Sequence, residues 1–129
     1  MTDQNYSHRS LAQKLGIKAG DKIIVLNPPE NYLNLIRLNV KVSHQLQPNA
    51  QFIHYFANSK SELEKDFPQL KNHLSRNGML WISNKKGDKN FAQEDVQKIG
   101  LKNGLVDIKI ASVDETWSAM KFVYRVKDR

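Results

Sequence analysis

The sequence predicts an α/β domain with a mostly parallel sheet, closed near the C-terminus by an antiparallel hairpin, and with helices on both faces. Short apolar runs alternate with segments of helical periodicity, which is typical of parallel strands joined by crossover helices. The run Lys22–Leu26 has the continuous apolar character of a strand buried on both faces. Only Asp114, Glu115 and Thr116 separate the last two strand-like segments, so these two strands must be antiparallel.

Caps and breakers place the first elements of the chain. Ser10 is positioned to cap a short helix that ends at Leu15, and Gly16 suits the position just beyond that helix. The first strand must stop at Pro28 and Pro29, because proline has no N–H group to donate to a neighbouring strand. We expect residues 1–9 to form a flexible tail and residues 10–129 to form one domain.

The clearest helical pattern lies in residues 59–75, where apolar side chains recur at helical spacing at Leu63, Phe67, Leu70 and Leu74. Ser61 and Glu64 resemble a capping box at its start. Pro68 interrupts the pattern and predicts either a kink or two consecutive short helices. Asn77 and Gly78 are expected to end the segment in a turn.

The remaining elements complete the predicted topology. They are a helix over 29–38 with Leu33 and Ile36 inward, strands over 40–46, 51–57 and 79–83, a helix over 91–99, and hairpin strands over 105–113 and 117–126. A parallel sheet finished by one antiparallel hairpin is a Rossmann-like sheet of the methyltransferase type.

Composition limits the classes of function. The absence of cysteine excludes disulfides and thiolate metal sites and fits a cytoplasmic protein. No two of the four histidines have i, i+4 spacing, so we expect no metal site. No apolar run approaches the ~20 residues of a membrane span, so no membrane partner is expected. The net charge of +7 favours anionic partners, although the lysines are dispersed rather than clustered.

Several motifs together resemble a small bacterial family of uncharacterised proteins, a domain of unknown function. They are Leu15-Gly16-Ile17-Lys18-Ala19-Gly20, Val25-Leu26-Asn27-x-Pro29-Glu30-x-Tyr32, Gly78-Met79-Leu80-Trp81-Ile82-Ser83, Gly100-Leu101-x-x-Gly104-Leu105-Val106-Asp107-x-Lys109 and Val113-Asp114-Glu115-Thr116-Trp117-Ser118-x-x-Lys121-Phe122. The resemblance covers roughly residues 10–127 and implies a trimmed, methyltransferase-like Rossmann fold with no established activity. The chain departs from the family after Ser83, where Asn84-Lys85-Lys86-Gly87 replaces a Trp-Pro-Lys segment.

Ligands of open α/β sheets bind at the carboxyl ends of the parallel strands. The predicted topology gathers ten residues at one such rim, which we take as the candidate binding site. They are Asn27, Glu30, Tyr32, Asn58, Ser83, Lys85, Asp114, Glu115, Thr116 and Trp117. We assign no catalytic residue, and the alternative for residues 114–117 is that they serve only the hairpin turn and the packing of the sheet edge.

The turn after the first strand argues against a cofactor. It reads Asn27-Pro28-Pro29-Glu30 and lacks the glycines that let a backbone approach S-adenosylmethionine closely, and Ser43, His44 and Gln45 stand where a ribose-binding acid is expected. We therefore expect no cofactor and a non-catalytic binding or interaction module on a degenerate methyltransferase-like fold. The alternatives are an S-adenosylmethionine-dependent methyltransferase and, from charge alone, a nucleic-acid-binding protein. The partner stays open between an anionic small molecule and a protein.

Overall fold

A computed structural model describes residues 9–129, so all but the last residue of the tail predicted over 1–9 lies outside the described part. One six-stranded sheet carries helices on both faces. The elements in chain order are α1 (Leu11–Leu15), β1 (Lys22–Leu26), α2 (Tyr32–Ile36), β2 (Lys41–Ser43), β3 (Ala50–Phe56), α3 (Lys60–His73), β4 (Leu74–Lys85), α4 (Gln93–Lys102), β5 (Leu105–Ser112) and β6 (Trp117–Tyr124), followed by a 3₁₀ turn (Val126–Asp128).

The strand order across the sheet is β2-β1-β3-β4-β6-β5. Strands β1 to β4 pair in parallel, and β6 is inserted antiparallel between β4 and β5. The predicted α/β class is therefore confirmed. Strand β5 lies at the edge of the sheet, and its partner in the described sheet is the antiparallel β6, as the short hairpin turn predicted.

A separate apolar core covers each face of the sheet. Helices α3 and α4 pack on one face through Leu63, Phe67 and Val96. The shorter helices α1 and α2 cover the other face, where Trp81 donates its indole N–H to the carbonyl of Leu15 at 3.0 Å. None of the helices within residues 9–129 is both long and apolar enough to cross a membrane.

Helix α1 forms where its caps predict it. The Ser10 hydroxyl accepts a hydrogen bond from the Gln13 N–H, and the Gln13 side chain in turn accepts one from the Ser10 N–H. Gly16 follows with a left-handed φ of 81°, the conformation in which a glycine ends a helix at little steric cost.

Helix α3 differs from its prediction at both ends. Its N-cap is Ser59, whose hydroxyl accepts from the Glu62 N–H, so the expected capping box of Ser61 and Glu64 is wrong. The helix is one continuous segment through Pro68 rather than two short helices. Buried side chains on both sides of the proline, including Phe67 and Leu70, anchor the two halves to the same core, which offsets the lost backbone hydrogen bond.

Strand β4 begins directly after α3, at Leu74, so the turn predicted at Asn77 and Gly78 is wrong. Both residues lie inside the strand, at an irregularity in its pairing with β3. A Cβ atom on Gly78 would lie 2.7 Å from the carbonyl oxygen of Ala50. Gly78 therefore allows the backbones of β3 and β4 to approach closely, which is a common role of glycine within a strand.

Helix α2 is shorter than predicted and turns a different face inward. It spans Tyr32–Ile36, and its buried pair is Tyr32 and Ile36, one helical turn apart. Leu33 was expected inside but is 53% exposed. Because the helix starts at Tyr32, Leu33 is rotated by about 100° away from the buried face.

The connection between β2 and β3 is unusually short. Strands β2 and β3 lie on either side of β1, and only residues 44–49 connect them. A parallel crossover normally takes a dozen or more residues and contains a helix. The connection between β2 and β3 contains no helix, a feature that shapes the amino end of the sheet.

A matched pair of leucine substitutions tests the assignment of buried faces. Leu63 is fully buried in α3, whereas Leu33 is exposed in α2. We expect Leu63→Ala to lower the free energy of unfolding by about 2–5 kcal/mol, since it leaves a cavity in the core. Leu33→Ala should change it by less than about 0.5 kcal/mol. Urea unfolding of both variants measures the difference, and equal losses would contradict the burial described.

Candidate functional site

The ends of β1, β3 and β4 and the β5–β6 turn form one edge of the sheet, called here the carboxyl edge. Asn27 follows β1, Asn58 lies just beyond β3, and Lys85 ends β4. Because β6 is antiparallel, its first residue, Trp117, lies at the same edge and pairs with Lys85. The topology thus brings the sequence-predicted positions to one side of the molecule, but it does not leave all their side chains accessible.

A buried chain of hydrogen bonds lies beneath the carboxyl edge. The Tyr32 hydroxyl is 2.8 Å from Nδ1 of His54, and the Ser83 hydroxyl is 2.7 Å from Nε2 of the same ring. His54 and Ser83 are completely buried and Tyr32 is 2% exposed. The contacts join α2, β3 and β4, so a single imidazole ring ties together three elements that end at this edge.

Burial also fixes the charge of this chain. Desolvation lowers the pKa of His54 to about 3, so the imidazole is neutral at ordinary pH. The same cause raises the pKa of the Tyr32 hydroxyl well above its usual range. A neutral imidazole has one donor and one acceptor nitrogen, and the two hydroxyls satisfy both. His54 is therefore a hydrogen-bonded residue of the core.

Two residues of the predicted rim are therefore part of the interior. Tyr32 and Ser83 lie where a ligand would have to displace buried packing to reach them. The sequence placed both residues at the accessible rim, because nothing in the local pattern showed that they would meet at His54. Tyr32 lies 22 residues before His54 in the chain, and Ser83 lies 29 residues after it.

Trp117 packs inward but borders a charged group. It is 8% exposed, and its ring meets that of Phe56 perpendicularly, with the centroids 5.0 Å apart. The ammonium of Lys85 lies 5.7 Å from the centroid of the Trp117 ring, within the range of a cation–π contact. Lys85 itself is exposed, so its contact with Trp117 links the buried rings of Trp117 and Phe56 to the surface.

The β5–β6 turn is held by Asp114. Its carboxylate oxygen Oδ1 accepts from the backbone N–H groups of Thr116 and Trp117, both at 2.8 Å. The ammonium of Lys86 donates to the Asp114 carbonyl at 2.6 Å. Asp114 thus serves the turn, which was the alternative interpretation of this stretch. Glu115 and Thr116 remain exposed beside it.

The exposed part of the carboxyl edge centres on the turns after β1 and β3. Asn27 adopts a left-handed backbone conformation with φ of 55°, and its side-chain amide lies 3.5 Å from the carbonyl of Phe56. Glu30 and Asn58 are exposed on either side of this contact. Beside Asn58, a shallow depression of about 590 Å³ extends to Asp88 at the start of the loop before α4.

His44 occupies the position where nucleotide-binding sheets place an acid after the second strand. Its Nδ1 nitrogen donates to the carbonyl of Val25 at 2.8 Å, which fastens the end of β2 to β1. Nothing in the local sequence pattern distinguishes this role of His44. Among residues 9–129 no group of three or more histidine or carboxylate side chains could hold a metal ion.

Comparison with solved structures identifies the fold. An S-adenosylmethionine-dependent methyltransferase from Aquifex aeolicus matches with a TM-score of 0.62 and 13% identity, over 87% of this chain and 86% of the other. A TehB-like enzyme of the same kind from Corynebacterium glutamicum matches with a TM-score of 0.58 and 11% identity, over 95% and 93%. Magnesium protoporphyrin IX methyltransferase from Synechocystis, with bound S-adenosylhomocysteine, gives 0.57 and 8%, over 83% and 75%.

The fold is therefore that of the S-adenosylmethionine-dependent methyltransferases, as the order of elements predicted. Identities this low establish the fold and not the activity. No protein-family model matches the chain, and no curated protein matches it significantly. The resemblance to a bacterial family of uncharacterised proteins stays a prediction.

Substitution of Ser83 tests the buried hydrogen bonds. Ser83→Ala leaves one nitrogen of a fully buried imidazole without a partner, and we expect it to lower the free energy of unfolding by about 1–3 kcal/mol. The matched control Ser61→Ala, at an exposed position of α3, should change it by less than about 0.5 kcal/mol. Urea unfolding is the measurement, and a neutral Ser83→Ala would show that the contact contributes nothing.

Proposed function

We propose that the protein is a methyltransferase-type protein that binds S-adenosylmethionine at the carboxyl edge, in the crevice between the ends of β1 and β3. The strand order is the observation that supports this most strongly. Ligands of open α/β sheets bind where the order of strands reverses. Here β2 lies on one side of β1 and β3 on the other, so the reversal falls between Asn27 and Asn58.

The turn after β1 fits such a ligand in its backbone conformation. Asn27 holds the left-handed conformation that glycine normally supplies at a sharp turn. Asparagine is one of the few other residues that tolerate it. The sequence argued against a cofactor because this turn lacks a glycine. Asn27 adopts the backbone conformation that a glycine would have, but its side chain is larger.

The adenosyl group would be held by exposed polar side chains of this crevice. Asn27 and Asn58 offer amides, and Glu30 offers a carboxylate for ribose hydroxyls in place of the missing acid after β2. When bound, S-adenosylmethionine supplies an electrophilic methyl group for transfer to an acceptor. The chain's own contribution is to hold the ligand and, through His54, to keep the ends of β3 and β4 in fixed positions.

A non-catalytic binding module on the same fold is the second candidate. The observation that favours it is the turn itself, where Pro28 and Pro29 remove two of the backbone donors that a bound cofactor would use. His44, rather than an acid, ends β2 and is engaged with the backbone of β1. Such a protein would bind an adenosyl ligand without transferring a methyl group.

Ligand-dependent thermal unfolding tests the proposal. At about 100 times its dissociation constant, S-adenosylmethionine or S-adenosylhomocysteine should add roughly 2.7 kcal/mol of stability. For a domain of this size the unfolding midpoint should rise by about 8 °C. Asn27→Ala should weaken this shift. Asn49→Ala is the matched control, because Asn49 has nearly the same left-handed φ, 57°, but lies at the opposite edge of the sheet.

The outcomes separate the candidates. A shift that Asn27→Ala reduces and Asn49→Ala does not would support binding at the carboxyl edge. Radiolabelled methyl groups transferred from the bound ligand to a component of a cell extract would then favour the enzyme, and binding without transfer would favour the module. No shift with either ligand at millimolar concentration would overturn the proposal.

A further inference from the structure

A second cavity lies at the opposite end of the sheet and has no part in the proposed function. It has a volume of about 670 Å³, which is the size of a small-molecule site. It is bounded by the starts of β1, β2 and β3 and by the loop that precedes β1. We call it the amino-edge cavity and define it by Gly20, Lys22, Lys41, Ala50 and Met79.

The short crossover accounts for the cavity. Residues 44–49 pass over β1 without forming a helix, and Gln47, Pro48 and Asn49 of this connection line one wall. Gln47 is held there by a hydrogen bond of 3.3 Å from its side-chain amide to the hydroxyl of Ser43. A crossover helix would normally cover this part of the sheet, so the trimmed connection leaves space open rather than filled.

The cavity combines an apolar floor with cationic sides. Ile24 supplies apolar surface on one face of the sheet. Phe52 and Met79 border the cavity from the opposite face, across the starts of the strands. Lys22 and Lys41 are register partners on neighbouring parallel strands, so their side chains leave the same face of the sheet. Both line the cavity, both are exposed, and neither forms an ion pair with any residue in the part of the chain that the structure describes.

One acid, Asp21, also lines the cavity. Asp21 precedes Lys22, but its carboxylate accepts the backbone N–H of Lys18 at 2.8 Å and serves the turn before β1. Two lysines against one aspartate leave the lining with a net positive charge, and apolar surface lies close by. This combination favours a ligand that is anionic at one end and apolar at the other.

We propose that the amino-edge cavity is a binding site for a small amphipathic anion, with an apolar body and a terminal carboxylate or phosphate. The anionic group lies between Lys22 and Lys41, and the apolar body extends around the starts of the strands to Phe52 and Met79 on the other face of the sheet. The site is independent of the carboxyl edge, because it uses the starts of the strands rather than their ends. The proposal therefore does not rest on S-adenosylmethionine binding.

NMR titration tests the proposal with three probes. Octanoate and hexyl phosphate carry the two candidate anionic groups, and octanol is the neutral analogue. Both anions should shift the backbone amide signals of Gly16 and Gly20, which border the cavity, in a saturable way. The stronger of the two anions identifies the head group, and octanol should bind at least about tenfold more weakly than that anion.

A double substitution and a matched control locate the charge. Lys22→Gln with Lys41→Gln should weaken binding of the stronger anion by about tenfold or more, because it removes both charges from the site. Lys98→Gln with Lys102→Gln makes the same change in net charge on the exposed face of α4 and should have no effect. All four lysines are exposed, so these variants are expected to fold, which their amide spectra check.

Two results would overturn the proposal. One is the absence of saturable shifts at Gly16 and Gly20 with both anions at millimolar concentration. The other is binding that the Lys22 and Lys41 substitutions leave unchanged or that octanol matches, since either would mean that the lysines do not recognise an anion.

Discussion

The hydrogen bonds of His54 fix the carboxyl edge of the sheet. A buried imidazole is tolerated only when both nitrogens are paired, and Tyr32 and Ser83 provide those partners. The ring also stacks on Phe56 at 4.3 Å, and Phe56 meets Trp117. Packing is thus continuous from the middle of the sheet to the hairpin turn. The turns that follow β1 and β3 are exposed, but the strands beneath them are held in place by the hydrogen bonds of His54.

The two edges of the sheet differ in how they are built. The carboxyl edge keeps the strand order of the methyltransferases but replaces a glycine turn with Asn27 and two prolines. The amino edge is shaped by the short connection over 44–49, which leaves a cavity beside Lys22 and Lys41. A trimmed version of this fold can therefore lose backbone donors at the usual ligand position and gain a recess at the other end. The two features are separable by substitution, because no residue lines both.

The sequence predicted what depends on local pattern and missed what depends on distant contacts. Apolar runs placed all six strands, and Ser10 and Gly16 correctly bounded α1. Leu33 was misplaced because a five-residue helix has too short a pattern to define its phase. Ser83 follows an apolar strand at the predicted edge, and only its contact with His54, far away in the chain, shows that it faces inward. The role of His44 was likewise set by a backbone carbonyl of another strand.

The protonation of His54 tests the central claim most directly. Its pKa in the folded protein is about 3, against 6.5 in an unfolded chain. Between these values the unfolded state binds more protons, so this group's contribution to stability is complete above about pH 6.5 and is lost as the pH falls toward 3. Ring ¹⁵N chemical shifts of His54, followed by NMR from about pH 8 to about pH 4.5 while the protein stays folded, measure this directly. The account predicts a neutral ring with one protonated nitrogen throughout. A ring that titrates near 6.5 in the folded protein would contradict it.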